Sequence, residues 1–250
     1  MKRLALAFAV MAVVGVLALL ALGGCGGSGD NPGSLGDGQA VTQDGVAAPA
    51  SADGASDDVA AAAFGRNVIA NGGAEMGTGG NGYVAVAIPK WSKTGALTVV
   101  TYGSPGFPTN ASPGPASRGK NFFAGGPNSA LSVARQTVDV SWAAPVIDVG
   151  DARYVLAGFL GGWSYDGDNA KVKLTFLDAG SGKLGSATIG PVTAAERSNV
   201  TGTIGRSKKG LLPGGTRSIK VELIVTRMQG GYNDGYADAL SLKLTDRTPL

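Results

Sequence analysis

The sequence predicts an all-β protein: an antiparallel β-sandwich of jelly-roll type over residues 65–250, preceded by an export signal (1–24) and a disordered tether (25–64). Three observations predict it. From Arg66 to Asp246, short runs rich in Val, Ile, Leu, Thr, Phe and Tyr recur between Gly, Pro, Asn and Asp, the mark of many strands joined by turns. Several runs alternate: Val172, Leu174 and Phe176 point one way while Lys171, Lys173 and Thr175 point the other. Likewise Ile219, Val221, Leu223 and Val225 alternate with Lys220, Glu222 and Ile224. Period two with one wet face fits an antiparallel sheet. Third, helix signals are nearly absent; Thr193-Ala194-Ala195-Glu196 offers one turn closed by a capping box. About 180 residues in one all-β unit exceeds an immunoglobulin domain and suits a jelly roll.

The predicted strands are 66–70, 83–88, 96–102, 131–140, 152–160, 170–178, 184–189, 199–206, 216–227 and 236–245. Ser104–Ser117 carries four prolines, Pro105, Pro108, Pro113 and Pro115, and is an irregular surface loop that rims a site or covers a sheet edge.

Composition excludes several chemistries. The chain has 250 residues, no His and one Cys. It therefore has no imidazole base, no His-ligated zinc, no intrachain disulfide and no CxxC pair. After the tether, Glu is confined to Glu75, Glu196 and Glu222, and most Asp residues sit in turn sequences. No G-x-S-x-G, H-E-x-x-H or phosphate loop occurs. The reading is non-enzymatic.

The N-terminus reads as a targeting device. Lys2 and Arg3 precede the apolar run Leu4–Leu22, and Gly23, Gly24 and Cys25 follow. The run of 19 is long enough for a membrane helix. Its flanks instead make a secretory signal. Leu22-Gly23-Gly24-Cys25 resembles the lipobox of bacterial lipoproteins. That resemblance implies cleavage before Cys25 and attachment of a diacylglycerol to its thiol, so that acyl chains hold the protein on a lipid bilayer. Gly26 in place of Asp implies the outer membrane where the cell has one.

Residues 26–64 hold Asp30, Asp37, Asp44, Asp53, Asp57 and Asp58, no base, and no aromatic before Phe64. Such a stretch buries too little apolar surface to offset its ordering entropy. From Arg66 onward 19 Lys and Arg stand against 12 Asp and Glu, a net charge of +7. The bases are dispersed, with Lys208-Lys209 the one adjacent pair, so the charge reads as a solvated face and no nucleic-acid partner is expected.

Five motifs occur in an order that resembles galactose-binding-like jelly-roll domains, including families of bacterial carbohydrate-binding modules. They are Asn67-Val68-Ile69-Ala70-Asn71-Gly72-Gly73-Ala74-Glu75, Ile88-Pro89-Lys90-Trp91, Asn121-Phe122-Phe123-Ala124-Gly125-Gly126, Gln136-Thr137-Val138-Asp139-Val140 and Tyr236-Ala237-Asp238-Ala239-Leu240-Ser241-Leu242. The resemblance implies a structural Ca²⁺ held by the opening acid and the closing acid, here Glu75 and Asp238; Ala239 stands where the family often has Asn. The alternative is that these carboxylates bind Arg66 or backbone amides at a strand junction.

Two loops combine aromatics with Asp, Asn and Gly: Gly161–Asn169 and Gln229–Tyr236. Sugars present apolar C–H faces and dense hydroxyls, so an aromatic platform beside carboxylates and amides suits them. Trp163, Tyr165 and Tyr232 are the candidate platforms. Asp166, Asp168, Asn233 and Asp234 are the candidate polar partners. The competing reading is turn chemistry, with Asx side chains bonding their own backbone and aromatics plugging the sandwich end. Trp91 and Trp142 read as core or corner aromatics. The function expected is a membrane-anchored, non-catalytic binder of glycan or another extracellular polymer; the alternative is an envelope scaffold without sugar affinity.

Overall fold

A computed structural model of the chain describes residues 63–246. The signal, Cys25 and nearly all of the tether lie outside the described residues. Ten strands form two five-stranded sheets. They are β1 (Ser92–Thr94), β2 (Thr98–Thr101), β3 (Asn121–Pro127), β4 (Leu131–Asp139), β5 (Arg153–Gly162), β6 (Asn169–Leu177), β7 (Lys183–Ile189), β8 (Gly202–Leu211), β9 (Ser218–Thr226) and β10 (Tyr232–Thr245). One sheet runs β1-β4-β9-β6-β7 and the other β2-β3-β10-β5-β8. All ladder pairings are antiparallel, so the predicted sandwich is the observed architecture.

The alternating strands behave as their sequences require. Val172, Leu174, Phe176, Ile219, Val221, Leu223 and Val225 are buried between the sheets with Phe123, Leu156, Leu160 and Leu242. Only side chains of one parity reach that interior, which is why period two was informative. Thr175 departs from its expected wet position and is buried.

Predicted strands 66–70 and 83–88 are not strands. The first makes a single bridge, Asn67 to Lys243. Asn67 replaces a ladder with its side chain: Oδ1 accepts from the Ile69 and Leu242 amides, and Nδ2 donates to the Leu240 carbonyl. In the second, the Thr98 hydroxyl stands in for backbone pairing, accepting from the Val86 amide and donating to the Val84 carbonyl. β8 begins three residues later than predicted and extends to Leu211, and β10 begins at Tyr232 rather than 236. A short helical corner, Ser141–Ala143 followed by α1 (Ala144–Asp148), was not predicted. Pro145 sits in its first turn, where a missing N–H costs little. Trp142 packs there edge-on against Phe64 at 5.1 Å, and Trp91 is buried edge-on against Phe123 at 5.8 Å. Both tryptophans hold the core or corner positions expected of them.

A second, smaller core lies on the outer face of the β2-β3-β10-β5-β8 sheet: Val100, Phe122, Ala124 and Tyr236, closed by Phe107 with Tyr102 and Tyr232 at its edge. Phe107 comes from the proline-rich segment, so that loop lies on the sheet face. Arg118 braces it, donating to the carbonyls of Thr109, Ser112 and Pro115.

Candidate functional site

The loops 161–169 and 229–236 meet at one end of β5 and β10, where Gly162 pairs with Gly235. Asp168 joins them. Its Oδ1 accepts from the amides of Met228 and Gln229 at 2.5 and 3.1 Å, and its Oδ2 from the Asp234 amide at 2.8 Å. Gly162 permits the approach, since a Cβ there would lie 2.8 Å from the carbonyl oxygens of Asp168 and Asp234. Asp166 closes an Asx turn onto the Asp168 amide at 3.0 Å. Asp234 accepts from the Tyr236 hydroxyl at 2.7 Å.

One carboxylate oxygen from each of Asp166, Asp168 and Asp234 lies within 4.8 Å of the others. Burial pushes the Asp234 carboxyl up to about 6, with the charges of Asp168 and Asp166 adding to the rise. Burial also raises Asp166. The cluster is thus a pocket of negative charge that a cation or a proton relieves.

Arg197, which the sequence reading did not single out, supplies a fixed positive charge beside it. It is 5% exposed. Its Nη1 donates to the carbonyls of Ser164 and Val200 and its Nη2 to that of Asp166. Its position follows from the capping box. The Thr193 amide donates to Glu196 Oε2 at 2.8 Å while the Glu196 amide donates to Thr193 Oγ1 at 3.2 Å. That forms the single turn the sequence predicts and aims the next residue inward.

The seven candidate binding residues divide. Trp163 and Tyr165 are exposed, at 37% and 68%, with ring centroids 5.9 Å apart. Asp166 and Asp168 are buried and work as loop ties. Asn233 is fully buried and donates to the carbonyls of Ser129 and Val225, so it fastens β10 to its surroundings. Tyr232 is half-buried, edge-on to Phe107 at 5.3 Å. Only the first two present an aromatic face to solvent.

Glu75 and Asp238 are brought together at the junction of the opening segment with β10. A Cβ on Gly73 would lie 3.7 Å from Glu75 Cγ and 3.9 Å from Asp238 Oδ1, which places Gly73 beside both side chains. Glu75 accepts from the amides of Lys120 and Asn121. Asp238 is fully buried. It accepts from Tyr102 Oη at 2.8 Å and from the Ala239 amide. Burial pushes its carboxyl up to about 7, with the charge of Glu75 adding to the rise. Two hard-oxygen carboxylates beside a glycine backbone, one of them costly to ionise, have the chemistry of a calcium donor set. The amide contacts of Glu75 equally match the strand-junction alternative.

No protein-family model matches the chain, and no curated protein matches it. Solved structures do. Tailspike protein 4 of bacteriophage CBA120, an enzymatically active domain, aligns at 18% identity and a TM-score of 0.45 over 72% of this chain and 21% of that one. The CBM22-1–CBM22-2 tandem of Paenibacillus barcinonensis Xyn10C aligns at 12% identity and a TM-score of 0.41, over 76% of this chain and 49% of that one. A CBM4 module aligns at 11% identity and a TM-score of 0.36, over 71% of this chain and 99% of that one. The chain thus spans about a fifth of the tailspike and half of the tandem. Solved structures similar to this chain therefore include carbohydrate-binding modules, and at these identities the likeness is one of fold.

Proposed function

We propose that this chain is a non-catalytic glycan-binding module, exported and fastened to a bacterial membrane by an acylated Cys25, at the cell surface or on the periplasmic face. One observation carries the binding reading: Trp163 and Tyr165 hold exposed rings 5.9 Å apart on a loop that Asp168 and Arg197 clamp from beneath. Exposed aromatics on a braced loop lose little freedom on binding, and their faces match sugar C–H surfaces. The test is retention of the full chain on insoluble polysaccharides and a glycan array. Trp163→Ala and Tyr165→Ala each weaken retention at least tenfold while the melting temperature stays within a few degrees. Retention equal to wild type in both variants overturns the reading and leaves the scaffold alternative.

The anchor rests on Leu22-Gly23-Gly24-Cys25. Mass spectrometry of the chain from a bacterial membrane finds Cys25 as the acylated N-terminus. Cys25→Ser leaves the chain without lipid and with residues 1–24 still attached, which the same mass measurement reads.

Calcium belongs to the same proposal, with Glu75 and Asp238 as its carboxylate ligands; when bound, it would neutralise the buried Asp238. A ligand that binds only the folded state raises the melting midpoint. Millimolar Ca²⁺ raises it against chelator, and Asp238→Asn abolishes the difference. Coincident melts with and without chelator remove calcium from the proposal.

A further inference from the structure

The two aromatic rings at the tip form a corner rather than a floor. The planes of Trp163 and Tyr165 are inclined at 63° with centroids 5.9 Å apart, so one flat sugar face cannot lie on both. A pyranose stacked on one ring meets the other at its rim, where its substituents project.

Two more apolar side chains flank that corner. Val200 is 47% exposed and Met228 66%. Arg197 positions the first: its Nη1 donates to the carbonyl of Ser164, which stands between the two aromatic residues, and to that of Val200. The Ser164 amide adds a second tie, donating to Thr201 Oγ1 at 2.9 Å. Asp168 positions the second by accepting from the Met228 amide. The Met228 stem passes beside Gly167, where a Cβ would lie 3.5 Å from Met228 Cβ. Four exposed apolar side chains from three loops are thus gathered at one end of the sandwich. Contiguous exposed apolar surface of this kind marks binding sites.

The polar side chains of the two loops already have partners. Asp168 gives both oxygens to backbone amides. Asp166 accepts from the Asp168 amide and from the Gln229 side chain. Asp234 accepts from the Tyr236 hydroxyl, and Asn169 donates to the Gly167 carbonyl. Asn233 is fully buried. A sugar hydroxyl turned into the corner would lose water and meet C–H groups, which is unfavourable. A methyl group there gains by burial, about fourfold in affinity for one such group. Met228, unbranched and adaptable, can follow a methyl carried at different ring positions.

We propose that this site takes sugars carrying a methyl group, as in a 6-deoxy or N-acetylated residue, in preference to their fully hydroxylated counterparts. The inference rests on the platform reading of Trp163 and Tyr165 and names the ligand class of that platform. The test is titration of the full chain in mild detergent, read by tryptophan fluorescence, with two matched pairs. Chitotetraose and cellotetraose share a β-1,4 backbone and differ in the acetamido group; methyl α-L-rhamnoside and methyl α-L-mannoside differ in the 6-hydroxyl. N-formylated chitotetraose keeps the amide and lacks the methyl. The methyl-bearing member of at least one pair binds at least fourfold more tightly. Preference in the first pair, lost in the formyl analogue, marks the acetyl group as the source; preference in the second marks the 6-deoxy carbon. Met228→Gln and Val200→Thr, which keep size at exposed positions, lower that ratio at least twofold in one or both variants. Four results overturn the inference: no binding of any of these sugars; equal affinities within both pairs; a formyl analogue that binds like chitotetraose with no preference in the second pair; or a ratio unchanged in both variants. Binding that survives Trp163→Ala and Tyr165→Ala fails the platform reading itself. Binding lost in those variants, with equal affinities within each pair, fails this inference alone.

Discussion

Asp168 commits both carboxylate oxygens to backbone amides, and its neighbour Asp234 is left to titrate. In the folded protein the Asp234 carboxyl sits at about 6, raised by burial and by Asp168 and Asp166; an unfolded Asp titrates near ~3.9. Between those values the folded state holds the extra proton. Its contribution to stability is therefore full below pH ~4 and declines as pH rises toward ~6. Asp234→Asn removes that share of the decline, leaving the share of Asp238, and raises stability above pH 6 by about 1 kcal/mol, allowing for partial solvent screening. Denaturant unfolding at pH 4, 5, 6 and 7 measures both slopes; parallel slopes in wild type and variant refute the assignment. Asp166 and Asp168 show the limit of residue-type reasoning at this scale. The pattern Asp-Gly-Asp suits either sugar contact or turn chemistry; the structure shows both side chains buried and bonded to loop amides, and burial is what a sequence does not display. Arg197 was overlooked for the same reason: an isolated Arg reads as surface until the turn before it proves to point inward.

The proline-rich loop shows how an element with no regular structure holds a position. Phe107 is its anchor, in contact range of Phe122, Tyr232 and Tyr236 at 6.3, 5.3 and 6.2 Å. Phe107→Ala opens that outer cluster and costs about 3 kcal/mol. Limited proteolysis within 104–117 accelerates in step, whereas a loop that merely crosses the surface would change neither. The strands divide by how their partners are made. β6 and β9 were legible because each has one dry face, and alternation is written into Val172–Phe176 and Ile219–Val225. β3 was signalled only by its likeness to a family motif, because Phe122 and Phe123 face two different cores and leave no alternation. β1, three residues of Ser, Lys and Thr, carries no apolar signal at all. The run 83–88 had strand-like composition, but its bonds go to the Thr98 hydroxyl, a choice that propensity does not encode.

In the folded unit as a whole, β10 is the organiser. It lies between β3 and β5, and past its irregularity at Asp238–Ser241 the opening segment takes over on the β3 side, through Gly65 N to Leu244 O and Val68 N to Leu242 O. The motif order in the sequence anticipated that meeting of first and last segments; it did not anticipate how few backbone bonds would make it. The ladder of β5 on β10 runs from Arg153 opposite Thr245 to Gly162 opposite Gly235. At ~3.3 Å per residue those ends stand ~30 Å apart. Entry and exit of the folded chain therefore share one pole, and the Trp163 loop crowns the other. Joining residue 246 to residue 63 through a short bridge would therefore circularise the domain without disturbing the Trp163 loop.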